Sequence, residues 1–276
     1  MQRSSLAGAA FLALTACAPT MKDVEEVRAL SEITCAQRPG NCAYENSPVK
    51  VVDRPVTLPK RPYQFFPLAE PLRFIDARTK TWFAPPGTLT DGASIPAIFV
   101  AIVGQPTAPE YVNAAAIHDA YCGIGNEGGA NFHNGRWEDV HRMFYDALVA
   151  SGTPDQRAKI MFAAVWLGGP RWNFHYSLDQ VPTVPKQRAM RAAKRYIEER
   201  DPSLAELEAR LWRLERLLIR EHPGLFPFMN PDDVERDVEL GGREEPEQEY
   251  PELEDGGPTY ENGDYGYDEE YMRDQL

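Results

Sequence analysis

The sequence predicts an α+β fold in which small β elements precede a compact three-helix core, and two features of the pattern support this prediction. From position 62 to about 95, aromatic and β-branched residues are interrupted by prolines, which is typical of short strands joined by turns. Three later segments repeat apolar residues with a helical period, and each ends near glycine. We expect this body to span residues 61–180.

The first residues have the pattern of a bacterial signal peptide. Arg3 precedes an apolar run at 6–16 that is too short to cross a bilayer. Residues 14–17, LTAC, resemble the lipobox of bacterial lipoproteins, which implies removal of residues 1–16 and attachment of lipid to Cys17. Ala18 and Pro19 stand where the inner-membrane signal of that family carries Asp, so the resemblance implies an outer-membrane lipoprotein. An ordinary cleaved secretory signal is the alternative.

Residues 17–60 are predicted to form a tether between the lipid and the body. Thiols outside the cytosol tend to oxidise, and Cys35 and Cys42 are close enough in sequence to close a small loop. We therefore expect a disulfide between them. Cys122 is then left unpaired, and we expect it to behave as a small buried hydrophobic residue.

The elements of the body are predicted from local signals. The segments PLRFID and TWFAPPG flank a polar connection at 77–80 and predict a hairpin. The first helix is expected to begin at Pro109 and to be capped by Gly123. A second helix covers 137–150, and a third follows a predicted capping box at Thr153 to Gln156 and ends at 168–169.

Residues 181–225 are predicted to form a helical extension with leucines spaced 3, 4, 3 and 4 residues apart, at positions 204, 207, 211, 214 and 218. Two heptads are short for a coiled coil, so we expect this helix to dock on its own body. Residues 226–276 are predicted to be a disordered tail, since 18 acidic and 3 basic side chains follow position 230. The helix or the tail could bind a protein partner.

The rest of the chain carries 26 basic and 24 acidic side chains, so the body is nearly neutral. Nucleic-acid binding is not expected, because it requires a basic surface.

Candidate chemistry is concentrated in a loop and two helices. The loop PPGTLTDGASIP, residues 85–96, carries Asp91 and Gly92. In the first helix His118 shares a face with Cys122, while its neighbour Asp119 points about 100° away. In the second helix His141 shares a face with the aromatic residues.

These residues permit two metal chemistries. Calcium would take oxygen ligands from Asp91, Asp119 and loop carbonyls, and would leave His118 free as a general base. Zinc would instead take His118 and His141 with one aspartate. The third alternative is that no metal binds and that both histidines are hydrogen-bonded core residues.

Four ordered motifs, TDGASIP, AAIHDAYC, GRWEDVHRMFYDAL and AKIMFAAVWLGGPRW, resemble domain-of-unknown-function family 1353 of bacteria and phages over about residues 62–175. The His-Asp helix also distantly resembles secreted bacterial phospholipases A2. That likeness implies His118 as the base, Asp119 and Asp91 as calcium ligands with a carbonyl near Gly92, and the residue three before Phe144 as the orienting group. In this sequence that residue is His141, whereas the phospholipases carry Asp.

Two functions follow as expectations. The first is an outer-membrane lipoprotein that acts as a metal-dependent hydrolase, with a water activated by His118 attacking an ester or amide of the envelope. The second is a noncatalytic structural or partner-binding lipoprotein, in which the histidines and aspartates only stabilise the body.

Overall fold

The computed structural model describes residues 33–59, 61, 64–92, 95–104, 109–173 and 176–227. All of them lie in the second of two compact units, residues 33–276. The predicted signal peptide, the lipidation site Cys17 and nearly all of the predicted acidic tail lie outside the described residues.

Two small antiparallel sheets form the β part of the body. One sheet has the order β1-β4-β5, with β1 at Ala43–Glu45, β4 at Leu72–Ile75 and β5 at Thr81–Ala84. The other has the order β2-β3-β6, with β2 at Val56–Thr57, β3 at Gln64–Pro67 and β6 at Leu89–Thr90. The predicted hairpin is confirmed, since β4 pairs with β5.

Residues 33–59 extend the folded body upstream of the expected boundary at 61. β1 pairs with β4, and Val51 bridges to Leu68. The hydroxyl of Tyr44 donates to the Ala147 carbonyl at 2.9 Å, and the predicted disulfide joins Cys35 to Cys42. The part of the expected tether from residue 33 onward is therefore an edge of the domain, because these long-range bonds hold it there.

Three helices form the centre of the body after a short turn of helix, α1, at Val100–Val103. They are α2 at Pro109–Cys122, α3 at Trp137–Ala150 and α4 at Asp155–Gly168. α2 packs on the first sheet and on α3, and the Tyr121 hydroxyl accepts a hydrogen bond from the backbone N–H of Phe83. The predicted α+β class and three-helix core are confirmed.

Two further helices continue the same core. α5 spans Thr183–Arg200 and packs on α4, and α6 spans Leu204–Glu221 and packs on both of them. The five leucines with heptad-like spacing are all buried against the body, as predicted: Leu204, Leu207, Leu211, Leu214 and Leu218. Among the described helices, none combines the length and the apolar character needed to cross a membrane.

The helix caps differ from the prediction. α4 begins after Pro154 without any side-chain cap, so the predicted capping box from Thr153 to Gln156 does not form. Pro154 occupies the N-cap position and has no hydroxyl or carboxamide with which to accept a backbone N–H. A complete capping box occurs instead at α6, between Ser203 and Glu206.

Candidate functional site

Two imidazoles meet where α2 packs on α3. His118 lies three turns into α2 and His141 lies at the second turn of α3, each on the face that its apolar neighbours share. Nε2 of His118 is 3.0 Å from Nδ1 of His141, which is a hydrogen-bond distance. The inward orientation predicted for both histidines therefore brings them into direct contact.

Cys122 completes a three-residue cluster. It lies one turn beyond His118 on the same face of α2, and its Sγ is 3.3 Å from Nε2 of His118. One ligand-type atom from each of His118, Cys122 and His141 lies within 4.8 Å of the other two. We call these three residues the His/Cys cluster.

The His/Cys cluster is enclosed by protein. His118 is 3% exposed, His141 0% and Cys122 7%. Aromatic rings surround it: Phe144 lies 4.8 Å from the His118 ring, and Trp137 lies 5.5 Å from the His141 ring. Bulk water has little access to these imidazoles.

This burial shifts the protonation equilibria. Burial lowers the pKa of His118 to about 3. The pKa of His141 is lowered well below its usual value, first by burial and then by the repulsion that its protonated ring would meet from a protonated His118 and from Arg171. Burial, together with the charge of Asp119, raises the pKa of the Cys122 thiol. Both imidazoles are therefore neutral at neutral pH.

The outer side of His141 faces the end of α4. A Cβ atom added at Gly169 would lie 3.3 Å from Nε2 of His141, so the absence of a side chain there lets the backbone approach the ring. The Pro170 backbone partly offsets the lowering of the His141 pKa. Nε2 itself is buried, and no described group reaches it with the geometry of a normal hydrogen bond.

The expected calcium ligands lie beside the cluster. Asp119 is 7% exposed, and its carbonyl accepts a hydrogen bond from Nδ2 of Asn126 at 3.0 Å. The same Asn126 side chain pairs with both the N–H and the carbonyl of Leu89 in β6, the strand that precedes Asp91 and Gly92. The structure thus brings the loop with Asp91 and Gly92 next to the turn of α2 that carries Asp119.

Neither aspartate belongs to the His/Cys cluster. Within the described residues, the group of ligand-type atoms around the two histidines includes Cys122 and excludes Asp91 and Asp119. The group of potential ligand atoms around the two histidines thus contains Cys122 and not the aspartate expected for a zinc set. The reason is helical geometry: Asp119 points about 100° away from His118, whereas Cys122 lies one turn along the same face.

The arrangement also limits general-base chemistry at His118. A catalytic imidazole is usually oriented by a carboxylate, which stabilises the imidazolium that forms. Here the partner is the neutral ring of His141, which cannot do this. The cluster can form an N–H···N hydrogen bond between two helices, or it can offer two nitrogens and a sulfur to a metal ion.

The fold and this site together define an α+β protein with a buried histidine and cysteine cluster between two helices of its core. Residues 66–165, which contain the whole cluster, match the sequence profile of the family described as "Protein of unknown function (DUF1353)". The resemblance predicted from the four motifs is therefore confirmed over this segment.

Two relatives from Sinorhizobium fredii (strain NBRC 101917 / NGR234) are similar to the chain. "Uncharacterized protein y4iH" is 40% identical over 101 residues, which are 37% of this chain. "Uncharacterized protein y4jT" is 37% identical over 111 residues, which are 40% of this chain. The chain spans less than half the length of these curated relatives, since the matches cover 39% and 31% of them. No solved structure matches the chain.

Cys122 and Asn126 contribute to the site in ways that the sequence did not predict. Cys122 lies four residues after His118, which is the spacing that places two side chains on one helix face, so its proximity to the imidazole could have been predicted. Asn126 gave no such signal, because its role depends on how closely β6 approaches α2.

Proposed function

We propose that this protein is an outer-membrane lipoprotein whose body is a noncatalytic structural module, in which the His/Cys cluster joins α2 to α3. The observation that supports this role is the enclosure of His118 and His141, which are 3% and 0% exposed and 3.0 Å apart. Paired, buried polar groups stabilise and specify a core, and removing one partner leaves the other unsatisfied.

Enclosure argues against a hydrolase that uses His118 as its base. A general base must reach a water or substrate within hydrogen-bond distance, and its pKa should lie near the operating pH. Burial instead holds the pKa of His118 at about 3, and Nε2 of its ring is in hydrogen-bond contact with His141.

The proposal predicts a loss of stability without any loss of activity. His118→Leu and His141→Leu each leave a buried polar partner unsatisfied, which costs about 1–3 kcal/mol. For a domain of this size, 1 kcal/mol shifts Tm by about 2–4 °C. We expect both variants to lower Tm in thermal unfolding, while the control His133→Asn, at a half-buried position with φ of 54°, has a smaller effect.

The catalytic alternative is tested by measuring how fast the wild-type protein and the same variants hydrolyse phospholipids and esters. The noncatalytic proposal requires that the wild-type protein and all variants show equal background rates. A wild-type rate above background that His118→Leu removes while Tm is unchanged would contradict it.

The lipid anchor rests on the sequence pattern at 14–17. In bacterial cells, we expect the wild-type chain to fractionate with the outer membrane and to carry fatty acid, and Cys17→Ala to prevent acylation.

Membrane association through the N-terminal lipid requires no partner protein. A protein partner of α6 would contact its solvent side, because the leucine face of α6 is covered by the body; the acidic tail is the other expected contact.

A second candidate function is a calcium-dependent hydrolase, and one observation favours it. Asn126 holds the strand before Asp91 against the carbonyl of Asp119, which places the two expected calcium ligands on adjoining segments. Titration with Ca²⁺ tests this candidate: Asp91→Asn should abolish binding, while Asp53→Asn, at an exposed position, should leave it unchanged. Equal Ca²⁺ binding by both variants would exclude the site.

A further inference from the structure

We propose that the His/Cys cluster is a binding site for a transition-metal ion of the zinc class, with Nε2 of His118, Nδ1 of His141 and Sγ of Cys122 as its protein ligands. This inference goes beyond the structural role proposed above, which needs only the contact between the two imidazoles. It also uses Cys122, which the hydrogen-bonded pair does not require.

The distances between the ligand atoms fit one ion. Zinc bonds of about 2.0–2.1 Å to nitrogen and 2.3 Å to sulfur give tetrahedral edges of about 3.3 Å between nitrogens and 3.6 Å between nitrogen and sulfur. The corresponding observed distances are 3.0 Å from His118 to His141 and 3.3 Å from His118 to Cys122. These two edges are within a few tenths of an ångström of the values for one ion, and the ligand atoms of His141 and Cys122 lie within 4.8 Å of each other.

The identity of the ligand atoms selects the class of metal. Imidazole nitrogen and thiolate sulfur suit zinc, cobalt and copper, whereas calcium and magnesium prefer oxygen. No carboxylate of the described residues belongs to this group of atoms. A hard cation is thus a poor fit for the His/Cys cluster, even though Asp119 lies on the adjoining face of the same helix.

The surroundings of His141 fit a ligand that binds through Nδ1. A metal-bound histidine usually donates its other N–H to a carbonyl or carboxylate. Here Nε2 is buried and lies close to the backbone at Gly169, where an added Cβ atom would be 3.3 Å away. Binding through Nδ1 would leave the Nε2 proton facing that backbone.

The fold fixes all three ligands before any ion arrives. His118 and Cys122 are one turn apart on α2, and His141 is held by the neighbouring rings on α3. Three protein ligands leave one of the four positions around zinc for a small ligand, such as a water molecule enclosed together with the ion.

Metal binding should be measured on the full chain purified in detergent. We expect the protein to retain about one equivalent of Zn²⁺ after dialysis, and Co²⁺ to give a thiolate-to-metal charge-transfer band in the near ultraviolet. Cys122→Ser should abolish this band, and His141→Gln should lower the affinity for Zn²⁺ at least about tenfold. The control His133→Asn alters a histidine outside the cluster and should behave as the wild type.

A second measurement covers the case in which a variant fails to fold. Chelation of the wild-type protein should lower its Tm, and Zn²⁺, but not Ca²⁺, should restore it. The inference is overturned if the wild type retains no metal and shows no charge-transfer band. It is also overturned if folded Cys122→Ser binds Co²⁺ with the wild-type spectrum. In either case the noncatalytic role would stand on the imidazole pair alone.

Discussion

Asp146 lies fully buried on α3, where Oδ1 accepts a hydrogen bond from the backbone N–H of Cys35 at 2.7 Å. Burial raises the pKa of this carboxyl group to about 7. The backbone hydrogen bond and the charges of Arg78 and Arg142 oppose the shift, whereas the charge of Asp76 adds to it. The folded protein therefore holds a proton on Asp146 at a pH where the unfolded chain has released it.

The sign of the effect on stability follows from proton linkage. Because the folded-state pKa is higher than the unfolded value of 3.8, the contribution is fully present below about pH 4 and is lost as the pH rises through about 7. With these two pKa values, the free energy of unfolding falls by about 2.5 kcal/mol between about pH 5 and about pH 8. This corresponds to about 5–10 °C in Tm for a domain of this size.

The assay compares Asp146→Asn with the wild type, because the buried histidines also titrate and their effect cancels in the difference. The amide resembles the protonated acid and can still accept from the Cys35 N–H. We expect the Tm of the variant minus that of the wild type to rise by about 5–10 °C from about pH 5 to about pH 8. The control Asp53→Asn, at an exposed position, should show no such rise. Parallel Tm curves for Asp146→Asn and the wild type would refute the reasoning.

Three further predictions concern the core and its helices, and urea unfolding tests each of them. Arg171→Leu leaves the fully buried carboxylate of Glu215 without its cation and should lower the free energy of unfolding by about 3–5 kcal/mol. Adding Glu215→Gln to this variant removes the unpaired charge and should recover most of the lost stability. Leu211→Ala should lower the free energy of unfolding by about 2–5 kcal/mol. An equal decrease for Leu217→Ala, at a half-buried position, would contradict the burial of the leucine face of α6 against the body. Ser203→Ala removes the capping box of α6 and should lower the free energy of unfolding by about 0.5–2 kcal/mol. An unchanged midpoint of urea unfolding would show that the cap does not stabilise the protein.

The helices could be predicted because their signals are local. Gly123 follows the end of α2, and Ser151 and Gly152 follow the end of α3, as the sequence indicated. β1 could not be predicted in this way. Its three residues show no long alternating pattern, and its place depends on pairing with β4 and on the bond from Tyr44 to Ala147, more than a hundred residues away.

The site could be predicted only in part for a similar reason. Helical spacing placed His118 and His141 on inward faces, and they do meet. The same spacing places Cys122 beside His118, but a face pattern does not reveal the distance between side chains, so the sequence alone predicts only a small hydrophobic residue there. The separation of Asp119 from the imidazoles followed directly from its position on the next face of the helix.

X-ray diffraction from crystals of the zinc-loaded full-length protein, recorded on both sides of the zinc absorption edge, tests the His/Cys cluster most directly. The account predicts one anomalous peak about 2.0–2.3 Å from Nε2 of His118, Nδ1 of His141 and Sγ of Cys122. A map without a peak there, in which the two imidazoles are hydrogen-bonded directly to each other, would contradict metal binding and leave the imidazole pair as the whole role of the cluster.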